Sequence, residues 1–219
     1  MLSRESMMDN FNFSIKHYNQ MAQMLYDYYS KFSPCTITIQ NFNKRDKEEN
    51  TDMIVTFPDM GSRRICCRIR RYDYYVKFFR DIAIRYELPS KELTEWPKFK
   101  SGWGDAYIYC FESEDGSNII AARLIDLHLL RNTNNIYESL VEPEKDDEGN
   151  IINQGIGNLH INNDDGVIFK CINLNNMPNI HGKKTLILKE WGHKFLKPNN
   201  LTIEQYTNVL QSNKSMLKW

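Results

Sequence analysis

TDMIVTFPDMGSRRICCRIRRYDYY, residues 51–75, is the stretch of this chain that decides its fold. Residues 51–57 are rich in β-branched and apolar side chains, and residues 58–61, PDMG, are typical of a turn. Residues 63–71 then resume an alternating pattern. We therefore predict two strands joined by a tight turn.

The second strand of this hairpin has an apolar face and a cationic face, because successive side chains of a strand point to opposite sides. Ile65, Cys67 and Ile69 share the apolar face, and Arg64, Cys66, Arg68 and Arg70 share the other. Arg68 and Arg70 are then neighbours about 7 Å apart along the strand. Their planar guanidinium groups suit phosphate or carboxylate, so the pattern predicts a site for an anion.

Helical and strand patterns surround the hairpin and indicate an α/β fold for residues 1–131. Apolar residues recur in steps of three and four through residues 9–32, as in a helix that packs on a sheet, with coiled-coil pairing as the alternative. Further strands are predicted at residues 35–41, 81–86, 106–112 and 118–125. Residues 90–100 predict a short helical turn or a loop broken by Pro97, and residues 124–130 predict a short helix.

The composition and sequence pattern of the C-terminal part of the chain differ from those of this core. Residues 132–158 are polar and acidic and predict a linker or long loop. Residues 159–219 predict a small β-rich extension with strands at 166–174 and 184–191 and a terminal helix that begins near Thr202.

Charge and cysteine usage limit the classes of partner. The 28 Lys and Arg residues balance the 28 Asp and Glu residues, so a nucleic-acid partner would have to meet a local basic patch. Residues 63–80 hold such a patch, with seven basic residues and one acid. The five cysteines form no CxxC pair, and the chain shows no signal peptide and no long apolar run. We expect a cytoplasmic protein with no membrane partner.

The order of the elements and a few short motifs resemble the core of the PD-(D/E)XK nuclease-like superfamily. The likeness covers residues 9–131 and rests on the long helix, on Asp52 at the entry of the second strand and on ICCRIRR, residues 65–71, in the third. The later segments RRYDYY, TEWPKF and LIDLHLLR look like those of uncharacterised bacterial and phage proteins with this core.

The resemblance implies a mixed central sheet flanked by helices, as in restriction endonucleases, and a metal-dependent phosphodiester hydrolase. Such hydrolysis needs hard oxygen ligands, usually two carboxylates, and a cation that stabilises charge. Asp52 matches the metal-binding Asp of the family, with Mg²⁺ as the implied cofactor. Either Arg68 or Arg70 stands at the Lys position, where a guanidinium could stabilise charge but could not act as a base.

The second carboxylate of the family motif is missing, because Cys66 or Arg68 occupies its position. An acid from elsewhere could complete a catalytic set with Asp52, Arg68 and Arg70. The candidates for this acid are Asp105, Glu95, Asp73 and Asp27. Alternatively the site has lost its metal and persists as a binding surface, or Asp52 is an ion-pair partner of Arg68 or Arg70 that steadies the sheet.

Nucleic-acid binding is the function that the basic face predicts, with DNA favoured over RNA. The predicted contact residues are Arg64, Arg71, Tyr72, Arg85 and Lys98, since cations attract phosphates and aromatic rings stack on bases. One alternative is a catalytically inactive accessory or inhibitor factor that binds nucleic acid or a protein. Another is a structural subunit whose helix at 9–32 and C-terminal tail form homo-oligomers.

Overall fold

The computed structural model describes residues 16–40, 49, 51–79, 81–90, 94–136, 144–149, 151–153, 158–161, 166–173 and 187–192. Its helices are α1 (Tyr18–Tyr29), α2 (Tyr72–Phe78), α3 (Glu95–Lys100) and α4 (Leu127–Ile136). Its strands are β1 (Thr36–Ile39), β2 (Met53–Phe57), β3 (Gly61–Arg70), β4 (Asp81–Glu87), β5 (Ala106–Glu112), β6 (Ile119–Asp126), β7 (Glu144–Lys145), β8 (Ile151–Asn153), β9 (Asn158–Ile161), β10 (Ile168–Asn173) and β11 (Ile187–Trp191).

A six-stranded main sheet with the order β1-β2-β3-β5-β6-β11 forms the centre of the fold. The pairs are antiparallel except for β3 and β5, which run parallel with Ile65 opposite Ala106. The predicted hairpin is confirmed, because β2 and β3 are adjacent and antiparallel, and Gly61 takes a positive φ of 75° where the second strand begins. The predicted α/β class with a mixed sheet flanked by helices is also confirmed.

The apolar face of β3 packs under α1. Ile65 and Ile69 share a buried cluster with Met21 and Leu25 of that helix. Between Tyr18 and Tyr29, the predicted helix therefore packs on a sheet, as the apolar stripe indicates. The part of the prediction that falls on residues 9–15 lies outside the described residues.

The cationic face of β3 is covered by a second layer. A smaller antiparallel sheet with the order β4-β10-β9 lies there together with α2 and α3. Ile82 and Ile84 of β4 and Ile172 of β10 share a buried cluster with Tyr107 and Phe111 of the main sheet. The basic face of β3 is therefore largely an interior surface between two sheets.

The C-terminal strands join both sheets. β10 pairs with β4, with Cys171 opposite Ala83, and β11 pairs with β6 at the edge of the main sheet. Strands of the predicted extension, residues 159–219, thus pair with strands of the predicted core, residues 1–131, while the division into separate domains stays a prediction. In the predicted linker, α4 continues to Ile136 and β7 pairs with β8. The helix predicted near Thr202 lies outside the described residues.

Candidate functional site

Arg68 lies between the two sheets and forms a buried ion pair. Its Nη1 atom donates to Glu95 Oε1 at 2.7 Å, and the side chains are only 12% and 14% exposed. Glu95 Oε2 also accepts a hydrogen bond from the backbone N–H of Arg85 at 3.0 Å. Burial opposes the ionisation of Glu95, but Arg68 and Arg85 more than offset it and hold the Glu95 pKa below its usual value. The charge of Arg68 is therefore neutralised within the protein, by Glu95.

Arg70 lies two residues further along β3 in a different environment. Its Cζ atom is 3.8 Å from the ring centroid of Tyr74 and 5.7 Å from that of Phe169. Within the part of the chain that the structure describes, Arg70 has no carboxylate partner, and its buried Nε atom donates no hydrogen bond. This guanidinium therefore keeps hydrogen-bonding capacity that the protein does not use.

A cavity of about 460 Å³ opens beside Arg70 between the main sheet, α2 and the second sheet. Most of its wall is aromatic or apolar, and Arg70 is the only arginine or lysine among the described lining residues. Its lining residues are Arg70, Tyr74, Phe78, Asp81, Ala83, Tyr109, Phe111, His160, Ile161, Phe169 and Cys171. An apolar cavity with a few polar groups is the usual form of a binding site for a small ligand or ligand fragment.

Asp52 holds the start of β2 against α1 and β3. Its Oδ2 accepts a hydrogen bond from the backbone N–H of Cys67 at 2.6 Å, and its Oδ1 accepts one from the Tyr18 hydroxyl at 2.9 Å. The ion pair with Arg68 or Arg70 that we considered from the sequence is wrong: among the described residues Arg68 pairs with Glu95, and Arg70 stacks on Tyr74. Contacts to the neighbouring backbone and helix are what fix the Asp52 carboxylate.

Asp105 is bonded to Arg64 rather than turned toward Asp52. The backbone N–H of Arg64 donates to Asp105 Oδ2 at 2.7 Å, and the Arg64 Nη2 atom donates to Oδ1 at 3.2 Å. His128 Nε2 is 3.1 Å from the same Oδ1. Partial burial opposes ionisation of Asp105, but the hydrogen bonds from Arg64 outweigh it and lower the Asp105 pKa.

The magnesium site that the resemblance implies depends on how the described carboxylates are arranged. Mg²⁺ requires several oxygen ligands in near-octahedral geometry. In the described ranges, no group of three or more His, Cys, Asp or Glu side chains is arranged to hold a metal ion. The carboxylates of Asp52, Asp105 and Glu95 accept hydrogen bonds from different protein donors. Mg²⁺ binding therefore stays a prediction, and we derive no step through the metal.

The other predicted contact residues are spread over the second layer. Arg71 is exposed at the start of α2, while the Tyr72 ring packs partly against the core cluster. Arg85 is partly buried on β4, and Lys98 is partly exposed on α3. The structure therefore does not bring the five predicted binding residues together at one open surface.

Several cavity residues were missed by the sequence analysis. Phe169, Cys171 and His160 belong to β10 and β9, far from β3 in the chain. Phe78 is on α2, a helix that we did not predict from the sequence, although its aromatic residues repeat in steps of three and four. That spacing could have predicted the helix. In contrast, no pattern in the sequence near β3 predicts that β10 lies over it.

No helix among the described residues is both long enough and apolar enough to cross a bilayer. In comparisons with known proteins, no family model, no curated protein and no solved structure matches this chain. The fold and the site are therefore interpreted from their own geometry.

Proposed function

We propose that this protein binds single-stranded nucleic acid without cleaving it, through the exposed side chains of α2 and the adjoining Arg70. Under this proposal the likeness to the PD-(D/E)XK core concerns the scaffold and not the chemistry. The observation that carries the proposal is the Arg70 guanidinium, which stacks on Tyr74 at 3.8 Å and has no carboxylate partner in the described ranges.

The surface around Arg70 supports this proposal. Tyr74 and Phe78 of α2 line the cavity beside Arg70 and are 39% and 48% exposed, and Arg71 and Lys77 are exposed on the same short segment. Exposed aromatic rings beside cations are the combination that single-stranded nucleic acid requires, because bases stack on the rings and phosphates pair with the cations. The Tyr74 and Phe78 rings also contact each other, with centroids 6.2 Å apart, so they form one continuous, partly exposed aromatic surface.

The carboxylates support a binding role rather than hydrolysis. Asp52, Asp105 and Glu95 each accept hydrogen bonds that hold the fold together. A carboxylate used in this way has fewer free lone pairs for a metal ion. Within this proposal the protein acts in the cytoplasm, where its free cysteines stay reduced.

A charge change on α2 tests the proposal. We expect a fluorescently labelled single-stranded DNA oligonucleotide to bind the wild type at low salt, and Lys77→Gln to weaken that binding. One lost phosphate contact should reduce the slope of log K against log salt by about 0.7.

Lys31→Gln is the matched control, because Lys31 is also exposed and follows α1 on the opposite face of the main sheet. It should leave the slope unchanged. Absence of binding to single-stranded DNA and RNA by the wild type at low salt would refute the proposed function, and so would equal effects of the two substitutions.

A further inference from the structure

The cavity beside Arg70 has a buried floor and an exposed apolar rim. Tyr109 and Phe111 of β5 and Ala83 of β4 are buried at its base. Phe78 of α2 and Ile161 of β9 stand at its edge, with Ile161 65% exposed. A volume of about 460 Å³ lies within the range of roughly 300–1,000 Å³ that small-ligand pockets occupy. The exposed rim side chains would lose contact with water if a flat ligand lay between them.

The charge in the cavity favours an anionic group near Arg70. A guanidinium whose face is stacked on an aromatic ring still presents its edge N–H groups, which match the oxygen atoms of a phosphate. Tyr74 holds the Arg70 group in this way. Among the described residues no carboxylate forms an ion pair with Arg70, although the Asp81 carboxylate lines the same cavity. The buried Arg70 Nε atom has no hydrogen-bond acceptor in the protein. A ligand oxygen could serve as that acceptor.

Polar groups on the cavity wall can form hydrogen bonds with the edge of a planar ring. The Tyr109 hydroxyl accepts a hydrogen bond from the Ala83 N–H at 3.3 Å, and burial raises the Tyr109 pKa, so the hydroxyl keeps its proton and can donate. The Asp81 carboxylate lines the same cavity and can accept from an exocyclic amino group. His160 also lines the cavity, and its ring nitrogens can form hydrogen bonds with a ligand.

We propose that this cavity binds one nucleotide unit, with the phosphate on Arg70 and an unpaired base between the aromatic side chains. This inference rests on the proposed function and makes it more specific. A base held in a duplex cannot enter the cavity without leaving its stack. The protein should therefore prefer single strands to duplexes, and it should also bind free nucleoside monophosphates.

Titration calorimetry with CMP, AMP and inorganic phosphate tests this inference on the full-length protein. We expect both nucleotides to bind more tightly than phosphate alone. Arg70→Gln should weaken nucleotide binding about tenfold or more, because it removes a charge-assisted hydrogen bond. Phe78→Ala changes an exposed residue and leaves the core intact. It should weaken nucleotide binding while leaving phosphate binding unchanged.

Lys77→Gln is the control within this series, because Lys77 is exposed on α2 but does not line the cavity. It should weaken oligonucleotide binding and leave mononucleotide binding within twofold of the wild type. Circular dichroism of each variant checks that the fold is kept.

Two results separate this inference from the proposed function. Oligonucleotide binding without mononucleotide binding would overturn the cavity inference and leave the proposed function standing. Mononucleotide binding without oligonucleotide binding would overturn the proposed function and identify the ligand as a free nucleotide. Nucleotide binding that survives both Arg70→Gln and Phe78→Ala would show that the cavity is not the site.

Discussion

Replacing Glu95 with Gln tests whether the cationic strand is a structural element rather than a catalytic one. The substitution leaves Arg68 buried between two sheets without its carboxylate, and the Arg68 side chain is only 12% exposed. Breaking one side of a buried ion pair costs about 3–5 kcal/mol. For a chain of this size that corresponds to a fall in Tm of roughly 6–20 °C.

Glu190→Gln is the matched control for this prediction. Glu190 also pairs with an arginine, Arg123, at 2.8 Å, but its own side chain is 56% exposed. Arg123 also donates to the backbone carbonyl of Phe79, so it keeps an acceptor in the control variant. An exposed carboxylate of this kind contributes about 0–1 kcal/mol, and we expect a correspondingly small change in Tm.

The pH dependence of unfolding provides a second measurement of the same pair. The Glu95 pKa in the folded state lies below its usual value of 4.5. The stabilisation from the carboxylate is therefore fully present above pH 4.5 and is lost as the pH falls through the folded-state pKa. Below that range the wild type and Glu95→Gln should converge in stability.

Urea denaturation monitored by tryptophan fluorescence, at pH 7 and along an acid series, provides the assay. A double variant, Arg68→Met with Glu95→Met, should be closer to the wild type in stability than Glu95→Gln, because it leaves no uncompensated charge. A cost below about 1 kcal/mol for Glu95→Gln, or one equal to that of Glu190→Gln, would show that solvent screens the pair and would refute our reasoning.

Two further substitutions test the site and the packing beneath it. Asp52→Ala should cost about 1–3 kcal/mol in a denaturation experiment, since it removes the acceptor of the Cys67 N–H. On labelled DNA and RNA with Mg²⁺, Mn²⁺ or EDTA, we expect no metal-dependent cleavage by the wild type, and cleavage that Asp52→Ala abolishes would restore the nuclease prediction. Gly104→Ala should destabilise the fold by about 1–3 kcal/mol more than Gly102→Ala. Both glycines have positive φ, but an added Cβ atom would lie 2.5 Å from the Cys66 sulfur at position 104 and would contact nothing at position 102. Equal losses in thermal unfolding would contradict this packing argument.

The hairpin and the two faces of β3 were predictable because they depend on local patterns. Alternation assigned Ile65 and Ile69 to one face and Cys66 to the other, and the structure confirms this assignment. The antiparallel pairing of β2 with β3 likewise followed from the turn residues between them.

The environment of the arginines was not predictable from the same pattern. Alternation shows which side chains share a face, but it does not show what covers that face. Phe169, which lies near both Arg68 and Arg70, comes about a hundred residues later in the chain. Glu95 was considered as a substitute metal ligand or as a turn and cap residue, and not as the partner of Arg68, because a single sequence does not reveal which acid reaches a buried cation. Pairing between strands that are distant in the sequence therefore determines which side chains surround these arginines.

The second sheet also constrains the order in which the chain can fold. Ala83 in β4 pairs with Cys171 in β10, across a loop that contains β5, β6 and α4. Closing such a loop costs conformational entropy before the new contacts form, whereas the β2–β3 hairpin closes locally. During synthesis the main-sheet strands through β6 leave the ribosome before β10 exists. Ile82 and Ile84 therefore lack their contact with Ile172 until translation passes residue 173. Until then they expose apolar surface that favours aggregation.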